Sequence, residues 1–189
     1  MDTKIFAYTL ILTVISWAGL VSPALQAAEP EAANPLPQLL CACEHNSLLS
    51  YDSATEACIK AAERGDAKAQ NELGYRYETG TGVPKNELEA LGWYLKASKQ
   101  NCGDSTYRIG YFYQHGMAGL KKDHKYAVAF YKKSAEQGSA LGQGMYALYL
   151  YDGLVVKQDR EAAVYWMKKS AANGSEHAKK ILKKWGVTP

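Results

Sequence analysis

The chain has 189 residues, with 22 Lys and Arg against 19 Asp and Glu for a formal charge of +3. That length suits one domain, and so mild a charge, with no basic run interleaved with aromatics, gives no indication of nucleic acid as a partner. No Gly-x-Ser-x-Gly elbow, His-Glu-x-x-His, Ser-x-x-Lys or phosphate loop occurs, so the sequence predicts neither catalysis nor a cofactor.

The first element is an apolar run from Ile5 to Val21, behind Lys4 and ahead of Pro23 and the small residues that end at Ala28. Residues 1–28 have the shape of a secretory signal, cleaved near Ala27 or Ala28. At about 17 residues, interrupted by Thr9, Thr13 and Ser16, the run is short for a membrane span, and an uncleaved anchor is the alternative. Residues 29–37, with Pro30, Pro35 and Pro37, read as a tether that cannot hold a helix. Residues 38–64 read as a degenerate N-terminal hairpin, because Ala54 and Ala62 keep the register of the units beyond Gly65.

From Gly65 onward the chain is a repeat. Gly65, Asn101, Gly138 and Gly174 each close a unit, 36, 37 and 36 residues apart. Small and aromatic residues return in register between them: Gly74, Gly110 and Ala147; Gly80, Gly116 and Gly153; Ala90, Ala127 and Ala163; Trp93, Phe130 and Trp166. Within each unit the spacing predicts two short amphipathic helices, in the first unit over about 66–78 and 87–98. Leu73, Gly74 and Tyr77 form the apolar stripe of one helix, and Leu88, Leu91, Tyr94 and Leu95 that of the other. Phe130 and Trp166 are expected as core residues between units. Residues 175–185 begin a further first helix that caps the array. The expected fold is all-α: a right-handed α/α solenoid of about three hairpins, residues 66–101, 102–138 and 139–174, within a domain spanning 38–189.

These motifs resemble the Sel-one-like repeat (SLR) family of the tetratricopeptide superfamily, whose pattern is Leu-Gly, Tyr, Gly-x-Gly-Val, Asp, Ala, Trp-Tyr-x-Lys-Ala-Ala and Gly. The first copy follows it with Leu73-Gly74, Gly80-Thr81-Gly82-Val83, Asn86 in place of Asp, and Trp93-Tyr94. The second carries an extra loop residue across Gly116-Met117-Ala118-Gly119, and the third lacks the Leu-Gly pair and the second loop glycine. The resemblance implies a non-catalytic interaction scaffold. Some members are associated with β-lactam or cell-wall compounds, but the absence of Ser-x-x-Lys argues against their hydrolysis here.

In this architecture the first helices line the concave side, which places Asn71, Tyr75, Tyr107, Tyr111, Gln114 and Tyr151 on a binding stripe. The expected role is an exported, periplasmic or secreted adaptor that holds a peptide or protein partner of the cell envelope. A cell-wall or glycan binder is the alternative, with a hydrolase or redox enzyme behind it. Contact with a membrane is expected only through the signal or the surface. In an oxidising compartment the four cysteines favour disulfides. Cys43 and Cys58 are equidistant from a hairpin turn near Ser50 and are the expected pair, leaving Cys41 and Cys102. Cys41-x-Cys43-x-His45 lacks the second ligand pair of a structural zinc site, and no metal is expected. The lysines from Lys168 to Lys184 read as solvated helix faces that complement helix ends.

Overall fold

The computed structural model describes residues 51–188, and every described residue in regular structure is helical. Eight helices succeed one another: α1 (Tyr51–Glu63), α2 (Ala67–Thr79), α3 (Glu87–Lys99), α4 (Gly103–His115), α5 (His124–Glu136), α6 (Ala140–Asp152), α7 (Arg160–Ala172) and α8 (Glu176–Lys184). The pairs α2/α3, α4/α5 and α6/α7 are the three hairpins, and each packs on the next. The leader, the tether and the hairpin's first half fall outside the described residues, as do Cys41, Cys43 and His45. Of residues 38–64, the described ones form α1.

Local chemistry sets the boundaries. Asp66, Ser139 and Ser175 cap the first helices α2, α6 and α8 through side-chain oxygens that accept backbone N–H groups. Asn86, Asp123 and Asp159 do the same for α3, α5 and α7, so asparagine serves where the family has aspartate. Cys102 opens α4 without such a bond. The closing residues Gly65, Asn101, Gly138 and Gly174 all take positive φ, between 63° and 96°. The residue just before three of these turns reaches back one unit. Gln100 Nε2 donates to Gly65 O at 2.8 Å and to Gln70 Oε1 at 2.9 Å. Asn173 Nδ2 donates to Gly138 O at 3.2 Å and to Gln143 Oε1 at 3.0 Å. Gln137 makes a longer bond, 3.4 Å, to Asn101 Oδ1.

The core runs along the array as four successive clusters rather than one centre. Its largest fully buried side chains are Tyr94 and Tyr131. Each lies flat against a glycine of the preceding helix. A Cβ at Gly74 would sit 2.7 Å from the Tyr94 ring, and one at Gly110 would sit 2.9 Å from the Tyr131 ring. In the third unit the same pair is Ala147 and Met167, both buried: a narrower, flexible side chain leaves room for one methyl.

Two expectations need correction. Trp93, Phe130 and Trp166 are half-buried rather than core, and it is the residue after each that fills the interior. Phe130 stacks on Tyr113 at 5.5 Å, and Lys96 Nζ covers Trp93 at 3.6 Å. On α3, Leu88 and Leu95 are exposed, because Ala90, Leu91, Tyr94, Ala97 and Ser98 form the buried stripe. That stripe is made largely of small residues rather than of these two leucines.

Consecutive first helices α4 and α6 approach one another, whereas no two second helices pack as closely. In the middle of the array the first helices therefore form the tighter layer. Among the described residues no helix is long and apolar enough to cross a membrane.

Candidate binding face of the first helices

The six residues expected on the stripe divide into two sets. Asn71, Gln114 and Tyr151 hold the array together. Ser105 Oγ donates to Asn71 Oδ1 at 2.7 Å, which joins α4 to α2. Tyr131 Oη donates to Gln114 Oε1 at 2.6 Å, as Tyr94 Oη does to Glu78 Oε2 at the same distance one unit earlier. Burial, with Glu78 adding to it at Tyr94, pushes both phenols far above their ordinary range, so they remain neutral donors. In the third unit Met167 has no hydroxyl to give. Tyr151, at the position of Glu78 and Gln114, instead stacks on Trp185 with ring centroids 4.1 Å apart.

Tyr75, Tyr107 and Tyr111 come together. Arg108 lies between the first two, with Cζ 5.4 Å from the Tyr75 ring and 5.9 Å from the Tyr107 ring. Its guanidinium is fixed by Glu78 at 3.2 Å. Tyr107 and Tyr111 are 6.5 Å apart, and the His115 ring lies 4.0 Å beyond Tyr111. The result is a string of flat side chains along α2 and α4. Tyr75 is its most open member, at 40% exposure. Tyr107 is the most committed to packing: its ring leans on Tyr131 at 5.6 Å, and burial raises its phenol above the usual value.

Tyr107 of the string also lines a hollow of about 310 Å3 between α6 and α8. Leu141 and Leu148 contribute to its walls. Gly144, Met145, Ile181 and His177 also line it, and sequence reasoning passed over all four as binding residues, as it did Arg108. A signal for the hollow was present. Counted from each closing residue, Asn71, Tyr107 and Gly144 occupy one position, so the third unit lacks the side chain that its neighbours place there.

Of the cysteines within the described residues, Cys58 is buried, with Sγ 3.6 Å from Ala69 O, and Cys102 is half-buried, with Sγ 3.3 Å from Ser105 Oγ. Cys43, the expected partner of Cys58, and Cys41 lie outside the described residues. Among the described residues no cluster of His, Cys, Asp and Glu could hold a metal ion.

With this geometry in place, comparison with known proteins is direct. A model of the Sel1 repeat matches residues 67–102, 103–139 and 140–175, one residue later at each boundary than the closing turns suggest. A Sel1 repeat protein from Oxalobacter formigenes is similar in structure, with a TM-score of 0.64 and 32% identity, over 74% of this chain and 59% of that one. Helicobacter pylori cysteine rich protein B gives a TM-score of 0.56 and 25% identity over 70% of this chain and 94% of its own. Among curated proteins, the ERAD-associated E3 ubiquitin-protein ligase component HRD3A of Arabidopsis thaliana is 29% identical over 90 residues, 48% of this chain and 13% of that protein. The chain spans between 11% and 18% of the length of the curated relatives it matches. Three consecutive matched units, the capped hairpins and the glycine-to-aromatic packing agree: this chain belongs to the Sel1 repeat family.

Proposed function

We infer that this chain is an exported adaptor that holds a peptide or protein partner against the face of its first helices. Sel1 repeat proteins generally mediate protein–protein interactions and are generally non-catalytic scaffolds. The observation that carries the reading is the string Tyr75, Arg108, Tyr107 and Tyr111: flat, partly exposed side chains with a guanidinium held in place between two of them. Aromatic residues and arginine are the side chains that dominate binding energy at protein interfaces, and a fixed arginine loses less freedom on binding. Export is supported by the apolar run of residues 5–21 and by four cysteines in a chain of this size. A linkage between Cys43 and Cys58 belongs to the same reading, and the cysteine-rich character named for the Helicobacter relative accords with it.

The test is affinity capture from an envelope fraction with immobilised protein. Tyr75→Ala with Tyr111→Ala removes exposed Tyr75 and half-buried Tyr111 from the string while sparing Tyr107. That double variant is expected to lose its partner while remaining folded, with a modest fall in melting temperature from the packing that Tyr111 gives up. The control is Tyr126→Ala with Tyr165→Ala, which removes exposed rings from second helices. Loss in the control and retention in the first variant would place binding on the other face. Export is checked by N-terminal sequencing, which should find mature protein starting near Ala28 or Glu29. Non-reducing peptide mapping should recover Cys43 joined to Cys58.

A further inference from the structure

The hollow between α6 and α8 has a chemistry of its own. Its inner surface is apolar, formed by Leu141 and Leu148 of α6 and Ile181 of α8, with Tyr107 and His177 also lining it. Met167 lies at its base. The space exists because Gly144 stands where the preceding unit has Tyr107, and a Cβ at Gly144 would meet only Ser170 Oγ, at 3.3 Å. At about 310 Å3 it is at the small end of ligand pockets, suited to a single bulky group rather than a cofactor. Leu141, at its mouth, is 48% exposed.

Beside the hollow, α8 carries positive charge: Lys180 and Lys184 stand three and seven residues after its lining residue His177, on the same side of α8, and both are exposed. Among the described residues no carboxylate lies within ion-pair distance of either. The carboxylate of Glu176 is paired with Lys179 at 2.6 Å, and Lys180 adds a smaller attraction to it. The helix that lines the apolar slot thus carries two exposed cations that no ion pair among the described residues engages.

We propose that the slot is an anchor subsite for a bulky apolar side chain of a partner segment whose flanking residues are acidic, with those carboxylates meeting Lys180 and Lys184. The proposal rests on the reading that the first-helix face binds a protein, and it gives that partner a chemistry. The buried side chain supplies affinity, while the lysines orient the segment and speed its arrival.

The probes are two synthetic peptides with one apolar centre, acetyl-Asp-Glu-Leu-Phe-Glu-Asp-amide and acetyl-Lys-Arg-Leu-Phe-Lys-Arg-amide. Each is titrated into the full chain at low salt and followed by amide chemical shifts. The acidic peptide should bind about tenfold tighter or better, a difference that salt erodes, with shifts confined to α6, α8 and Tyr107. Gly144→Leu, which fills the slot, should weaken it by about tenfold. Leu141→Glu, at an exposed position where folding is not at stake, should do the same by placing a carboxylate at the mouth. Lys180→Ala with Lys184→Ala should abolish the preference between the peptides.

Equal affinity for the two peptides, shifts centred on α2, or indifference to both Gly144→Leu and Leu141→Glu would overturn the proposal. So would binding to phosphatidylglycerol vesicles in preference to either peptide, which would make the lysines a membrane contact. If the Tyr75/Tyr111 double variant loses captured partner while Leu141→Glu retains it, the binding face stands and the anchor slot falls. If neither variant matters, both fall.

Discussion

The first two units and the third solve the same packing problem differently. In the first two, a tyrosine ring lies across a glycine and its hydroxyl is consumed by Glu78 or Gln114, so ring and polar partner are both locked into the array. In the third, alanine faces methionine, Tyr151 is released to stack on Trp185, and a second glycine, Gly144, faces open space. The same small residue therefore has opposite meanings. Under an aromatic ring it is the condition for close packing; away from one it is the origin of a hollow.

The sharpest way to break this comparison is to remove the ring. Tyr131→Ala should cost about 3–5 kcal/mol and Phe130→Ala, half-buried, clearly less, as read from urea unfolding of the two proteins. Equal losses would mean that the neighbouring aromatic carries the joint after all. Next in size is a matched pair of glycine substitutions. Gly110→Ala forces a methyl against the Tyr131 ring and should destabilise by about 1–3 kcal/mol, although alanine is otherwise the better helix former. Gly144→Ala has only Ser170 Oγ to displace slightly and should stabilise by about 0.5–1 kcal/mol. Opposite signs in the shift of melting temperature are the expected result.

A smaller effect lies in the loops. Gly82 of the first unit and Val155 of the third occupy the same turn with φ of 77° and 57°, a region that a β-branched residue enters at a cost. Val155→Gly should raise stability by about 1 kcal/mol in a thermal melt. The smallest expected effect depends on pH. Glu87 accepts the Ala118 N–H at 3.1 Å, and that bond, with a lesser contribution from Lys85, holds its carboxyl below the ordinary value of 4.5. Because the folded-state value is the depressed one, the contribution is complete above the ordinary carboxylate range and is lost as pH falls through the folded value. Glu87→Gln should therefore lower the urea midpoint slightly at pH 7, and the gap should close on acidification. The third unit has Arg160 at this position and no such dependence.

Periodicity made the fold legible. The closing turns, the caps and the paired helices all derive from residues that recur at 36 or 37 positions, and even Asn86 for aspartate changed nothing because either side chain can cap. The candidate binding face was less legible for a physical reason. Whether Gln114 faces a partner or a tyrosine hydroxyl depends on α5, one helix further along, and no pattern within α4 encodes it. Leu88 and Leu95 misled in the same way, since a hydrophobicity count favours large residues whereas the buried stripe of α3 includes the small Ala90, Ala97 and Ser98. Arg108 went unread because its surroundings, Glu78 and the Tyr75 and Tyr107 rings, come from α2 as well as α4.

The backward-reaching carboxamides carry a consequence for how such a molecule changes over evolutionary time. Gln100 grips the turn at Gly65 and Asn173 the turn at Gly138, and Gln137 reaches the Asn101 side chain, so each joint runs from the residue before one closing turn to the closing residue one unit back. Removing or duplicating a whole unit would leave a donor opposite a turn at every new seam. A cut of any other length would leave one of them facing nothing. Gene rearrangement is thereby filtered by geometry into whole-unit steps. The length of the binding face can drift in such lineages while its joints stay the same, and a new partner can be met by adding surface rather than by rebuilding it.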